Sequence, residues 1–160
     1  MRKKFSKALV LLFACVLMTG CGEIKPGNSS EGSYMTQNRE STLEYSIYMN
    51  KQIQVFINEI NTRMTMARSI ALNHSADNEA ELAASALEKM KKVYDETSIV
   101  NPSIGAEKDR EDTLKAMQTA MDHMEGYQKA VKDGTSVDGY IIDFENDFNQ
   151  LTGLANLYAQ

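Results

Sequence analysis

The sequence predicts an all-α fold, an antiparallel up-down-up-down four-helix bundle, and three observations carry that expectation. Four segments of roughly 20 to 34 residues repeat apolar side chains at the helical period of about 3.6. The breaks between them are mostly short and marked by turn residues: Ser75, Asp77 and Asn78, then Asn101-Pro102 with Gly105, then Asp133-Gly134. No stretch alternates polar and apolar residues as a half-buried strand does, and the chain holds only 2 prolines. A three-helix bundle with one displaced helical segment is the alternative arrangement, because the first segment is long enough to overhang its neighbours.

The first helix is expected to open at Ser41, where Glu44 three residues on completes a capping box. Its stripe runs Tyr45, Met49, Ile53, Phe56, Ile60, Met64, Ala67 and Ile70 or Ala71, and it ends near His74. Asn78 with Glu81 restarts a helix, which the stripe Ala83, Leu87, Met90, Tyr94 carries to about Ser98. A third helix begins around Ala106, where Glu107, Asp109, Glu111 and Asp112 suit the positive end of its dipole. Its stripe is Leu114, Met117, Met121, Met124, Tyr127, Val131, and Gly134 stops it by accepting a left-handed conformation. Thr135 or Ser136 caps the fourth helix almost at once, so the third and fourth form a tight hairpin. In the fourth, Val137, Ile141, Phe144, Phe148, Leu151, Ala155 and Tyr158 alternate spacings of four and three. That is the seam of a helix packed at a shallow angle, as in bundles and coiled coils, and Ile142, Leu154 and Leu157 are expected to widen it.

The N-terminus reads differently. Arg2, Lys3, Lys4 and Lys7 form a positive start, and Ala8 to Met18 is an apolar run too short to span a bilayer, which needs about 20 residues. This pattern is that of a cleaved signal peptide over residues 1–20. Immediately after the run, Met18-Thr19-Gly20-Cys21 resembles the lipobox of bacterial lipoproteins, with Met18 where that family usually has Leu. The resemblance covers the first 21 residues. It implies that Cys21 is the mature N-terminus and carries acyl chains such as palmitate, and that Cys15 is discarded with the signal. Because Gly22 follows the cysteine, it also implies outer-membrane sorting in a Gram-negative host. One acyl chain holds a protein to a membrane only marginally and two hold it stably, which fits a diacylglyceryl anchor.

Residues 21–40 are rich in Gly, Ser, Asn and charge and form the expected flexible tether, with an end-to-end span of roughly 25 Å. Residues 41–160 are the helical domain. Loss of residues 1–20 removes only basic charge and leaves 13 basic against 22 acidic residues, a net charge of −9. Nucleic acid and anionic membrane surfaces are disfavoured partners for such a surface.

Several side chains invite a chemical reading. Met117, Met121 and Met124 recur at i, i+4, i+7 near His123, and thioethers with imidazole suit copper(I). At about 100° per residue, however, His123 lies roughly 200° from Met121 and so leaves the Met face. The thioethers also continue the Leu114 stripe, where Met fills cores. His74 sits at the far end of the first stripe, some 12 Å along the bundle from His123. No Glu-x-x-His pair, haem-attachment motif, calcium loop or phosphate-binding Gly loop occurs, and no cysteine follows Cys21. Asp143 and Asp147 are four apart on the fourth helix and read as a solvated acidic face. Tyr45, Tyr94, Tyr127 and Tyr158 fall on stripes near helix ends, where a ring packs while its hydroxyl reaches water.

The expectation is therefore a lipid-anchored, extracytoplasmic cell-envelope protein of the cell membrane or outer membrane. Its non-enzymatic bundle would act as a protein-interaction or structural module, with no catalytic residue, metal site or cofactor assigned. A solute- or copper-binding lipoprotein and an accessory sensory subunit are the alternatives.

Overall fold

The computed structural model describes the backbone of residues 32–159 and the side chains from Thr42 to Ala159. The expected signal peptide, the expected lipobox with Cys21, and the expected tether up to Glu31 lie outside the described residues. Four helices follow in order: α1 (Gly32–Ala71), α2 (Glu79–Ser98), α3 (Glu107–Asp133) and α4 (Asp138–Leu157). Among the described residues there is no strand. The helices pack in a ring, α1 on α4 and α2 on α3 most extensively, α3 on α4 and α1 on α2 less so. This is the four-helix bundle the stripes predict, and residues 31–160 form one compact unit.

The core is built from those stripes. Met49, Ile53, Phe56, Ile60 and Ala67 of α1 are fully buried, as are Ala83 and Met90 of α2, Met117 and Met124 of α3, and Phe144 and Leu151 of α4. Burying each large side chain contributes about 1.5–3 kcal/mol. Val137, Ala155 and Tyr158 complete the buried seam of α4, with Ile141 and Phe148 half-buried beside it. Two positions depart from expectation. Ile142 and Leu157 do not widen that seam but are 62% and 48% exposed on the opposite side of the helix.

Some helix ends follow their local signals, as α2 does in ending at Ser98 and α3 in starting at Glu107, and others do not. α1 is already helical at Gly32, so Ser41 lies inside it rather than capping it, and residues 32–40 of the expected tether are helical. A capping box needs a non-helical residue at its head, and the apolar stripe behind Ser41 lets the helix run through it. At its far end the Asn73 backbone turns left-handed with φ 64°, and the Leu72 and Asn73 amides close onto the carbonyls of Arg68, Ser69 and Ile70. Asn78, also left-handed at φ 60°, directs the chain into α2 without a side-chain cap. Ser136 likewise caps no helix. It takes the Asp138 amide at 3.3 Å while Val137 occupies the N-cap position of α4. Gly134 behaves as expected: at φ 65° it ends α3, and the Thr135 amide reaches back to the Ala130 carbonyl at 2.9 Å.

Candidate functional site

Three polar clusters lie within or against the apolar core. The most buried joins α1, α2 and α3. Glu79 opens α2 at its N-terminal end, where the helix dipole favours a carboxylate, and its side chain is completely buried. Arg63 of α1 donates from Nη1 to Glu79 Oε2 at 2.7 Å, and Tyr127 of α3 donates its hydroxyl to Oε1 at 2.9 Å. Among the described residues Arg63 Nε, also buried, has no partner. The Tyr127 ring meets Phe144 and Tyr140 of α4 edge to face, at centroid distances of 5.3 and 6.0 Å, so all four helices converge here. Burial pushes the Tyr127 hydroxyl well above its usual range, and the neighbouring Glu79 charge adds to the effect. The carboxylate therefore faces a fixed donor, and both its oxygens are occupied.

The second cluster joins α3 to α4. His123 Nδ1 lies 2.8 Å from Asp147 Oδ2, with the Asp147 side chain 3% exposed and that of His123 31% exposed. Burial raises the Asp147 carboxyl, the His123 hydrogen bond and charge oppose that, and the nearby Asp143 charge adds to the rise. An imidazole held at Nδ1 by a carboxylate is the orienting half of many proton-transfer sites. His123 Nε2 makes no hydrogen bond among the described residues, so the pair joins two helices and does no more that the geometry displays.

The third cluster closes the opposite end of the bundle. The Tyr45 and Tyr158 rings meet edge to face at 6.0 Å, and Thr113 Oγ1 lies 3.4 Å from the Tyr158 hydroxyl. Burial raises both tyrosine hydroxyls. Next to them Arg110 donates to the Val100 carbonyl at 3.0 Å and to the Ser98 carbonyl, satisfying the end of α2. Asn50 of α1 donates to the Ala155 carbonyl of α4 at 2.8 Å and does the same for the last turn there.

The residues singled out in the sequence fall as follows. Met117, Met121 and Met124 pack in the core, and His123 turns away from them to Asp147, so the thioethers and the imidazole do not meet. His74 is exposed past the end of α1. Among the described residues no three His, Cys, Asp or Glu gather as a metal ion would need. The solvated acidic face expected of Asp143 and Asp147 is corrected: Asp147 is buried because His123 on the next helix supplies its partner. Tyr127, expected at a core edge, lies inside and gives its hydroxyl to Glu79 rather than to water.

Arg63 and Glu79 escaped the sequence reading, although the signal was present. Arg63 follows Tyr45 by five helical turns and so lies on the same line of α1. Glu79 precedes Ala83 by four residues and heads the α2 stripe. No helix among the described residues is long and apolar enough to cross a membrane. The chain matches no family model, no curated protein and no solved structure.

Proposed function

We propose that the protein is a lipid-anchored, extracytoplasmic lipoprotein whose helical bundle is a non-enzymatic protein-interaction or structural module of the cell envelope. The observation that carries the reading is Cys21, which stands directly after a basic start, a short apolar run and Thr19-Gly20. Two features of the bundle support it. The buried polar groups Glu79, Tyr127 and Asp147 are engaged by one another or by Arg63 and His123, as in a scaffold. α1 reaches back to Gly32, so ten residues separate Cys21 from the first described helical turn.

The test is lipid labelling in a bacterial host with a palmitate analogue, followed by membrane fractionation. The native chain should be labelled and should sediment with membranes, and Cys21→Ala should lose the label and be released. Equal labelling and fractionation of the two would overturn the anchor.

A further inference from the structure

The loop between α2 and α3 presents the two most exposed large apolar side chains among the described residues. Ile99 is 80% and Ile104 88% exposed. Single exposed apolar residues are ordinary on protein surfaces, and Leu72, Leu82 and Ile142 in the other half of the bundle are of that kind. Ile99 and Ile104 differ in their setting. They stand five positions apart on one loop, and residues 99–106, IVNPSIGA, carry no charge.

The loop is held rather than slack. Arg110 donates from Nε to the Val100 carbonyl at 3.0 Å and from Nη2 to the Ser98 carbonyl, and Val100 packs against the core. Pro102 fixes its own φ. The Ala106 amide closes on the Ser103 carbonyl at 2.9 Å, in a turn that Gly105 permits at φ 87°. With the backbone around them fixed, the two isoleucines lose little conformational entropy when they are covered. The place of the loop is also defined. It sits beside Arg110 at the end where Tyr45 and Tyr158 meet, and from that end α1 leads back toward Cys21.

We infer that the α2–α3 loop is a lipid-contact element, in which Ile99 and Ile104 enter the boundary between headgroups and acyl chains of the membrane that holds Cys21. The inference rests on the anchored reading of the protein and adds how the bundle meets that membrane. Size and chemistry select lipid over protein. A protein interface of standard size takes about 800 Å² per partner and centres on Trp, Tyr or Arg anchors. This loop is short, has no aromatic residue, and the arginine beside it is already engaged by carbonyls. A lipid surface requires neither area nor shape, only apolar side chains free of charge. The chain also reaches. Tyr45 stands thirteen residues inside α1, about 20 Å, while residues 22–31 can extend over as much as ~35 Å. A bundle leaning toward its α2/α3 side therefore brings the loop to the surface. The favoured headgroups are zwitterionic, because Glu44, Asp95, Glu96 and Glu107 are exposed around this end.

The chain contains no Trp, so a single introduced one reports its own position. The test protein is residues 22–160 headed by a hexahistidine tag, held on phosphatidylcholine vesicles by a nickel-chelating lipid. Ile99→Trp and Ile104→Trp should each lose fluorescence about twofold when the acyl chains are brominated. Leu82→Trp, at an exposed position of the other end, should keep its fluorescence. Ile99→Glu added to Ile104→Trp should remove the quenching with circular dichroism unchanged. Replacing part of the phosphatidylcholine by anionic phosphatidylglycerol should weaken the quenching at low salt, and less so at high salt. Equal quenching of Ile104→Trp and Leu82→Trp, or quenching indifferent to Ile99→Glu, would overturn the inference. Quenching that strengthens with phosphatidylglycerol would overturn the preference for zwitterionic headgroups. Because the tag stands in for the lipid, absent quenching counts against the loop alone, whereas failed labelling of the native chain counts against the anchor.

Discussion

At the level of single residues, the buried carboxylates set the terms. Removing Glu79 from water costs several kcal/mol, and the Arg63 contact at 2.7 Å and the Tyr127 bond at 2.9 Å offset that cost. Glu79→Ala would strand a guanidinium whose Nε already lacks a partner, and a loss of about 3–5 kcal/mol is expected in urea unfolding. Tyr127→Phe removes one bond to a charged acceptor and should cost about 1.5–3 kcal/mol. Arg63→Met combined with Glu79→Leu should cost less than the two single changes summed, since no charge is left unpaired. Asp147 makes a pH-dependent contribution. Burial holds its carboxyl above the ordinary 3.8, so the folded chain keeps this proton to higher pH than the unfolded chain. The stability it lends is fully present below the unfolded value and is lost as pH rises through the folded one. Asp147→Asn, which still accepts a bond from His123, should flatten that fall. His123→Ala should steepen it and cost about 1–3 kcal/mol near neutral pH. Urea midpoints measured across the acid range would distinguish these outcomes.

Among the elements, the helix ends separate local from tertiary control. Gly134 needs its left-handed φ of 65°, and nothing lies within 4 Å of the place a Cβ would take. Gly134→Ala therefore meets backbone strain without a clash, and a loss of about 1 kcal/mol is expected in thermal unfolding. Gly134 was legible in the sequence because the left-handed turn is a property of one residue. Ser41 and Glu44 carried an equally local signal, yet α1 passes through them, because a capping box proposes a helix start but cannot enforce one. The ends of α2 at Ser98 and α4 at Leu157 were legible from their stripes, but the side chains that satisfy their last carbonyls were not. Arg110 satisfies carbonyls 10 and 12 residues before it, and Asn50 reaches a carbonyl 105 residues away. Such caps exist only once the bundle has brought the helices together.

Taken whole, the molecule is an apolar bundle pinned by polar clusters at both ends. The apolar positions were legible because burial repeats at the helical period, as Val137 to Tyr158 illustrate. The polar contacts were not, because Glu79, Arg63 and Asp147 count against an apolar stripe until their partners on other helices are known. Ile142 misled in the opposite sense: an apolar residue one step from a seam looks like core, while its neighbours Asn146, Asn149 and Gly153 place it on an outward line. The Met-rich interior adds a reason for pinning. Met49, Met90, Met117 and Met124 are adaptable fillers that specify a packing poorly. Polar contacts that close only in one register then fix how the helices align, Glu79 with Tyr127 at one end and Thr113 with Tyr158 at the other. Thr113 and Tyr127 stand fourteen residues apart on α3, roughly 21 Å, and share no partner. The two ends should thus act independently within one cooperative unit. Tyr158→Phe alone should cost about 0.5–1.5 kcal/mol. Combined with Tyr127→Phe, the loss should equal the sum of the single losses to within about 0.5 kcal/mol, with one unfolding transition retained. Two separate transitions, or a double variant far from the sum, would mean instead that the clusters do not brace a common core.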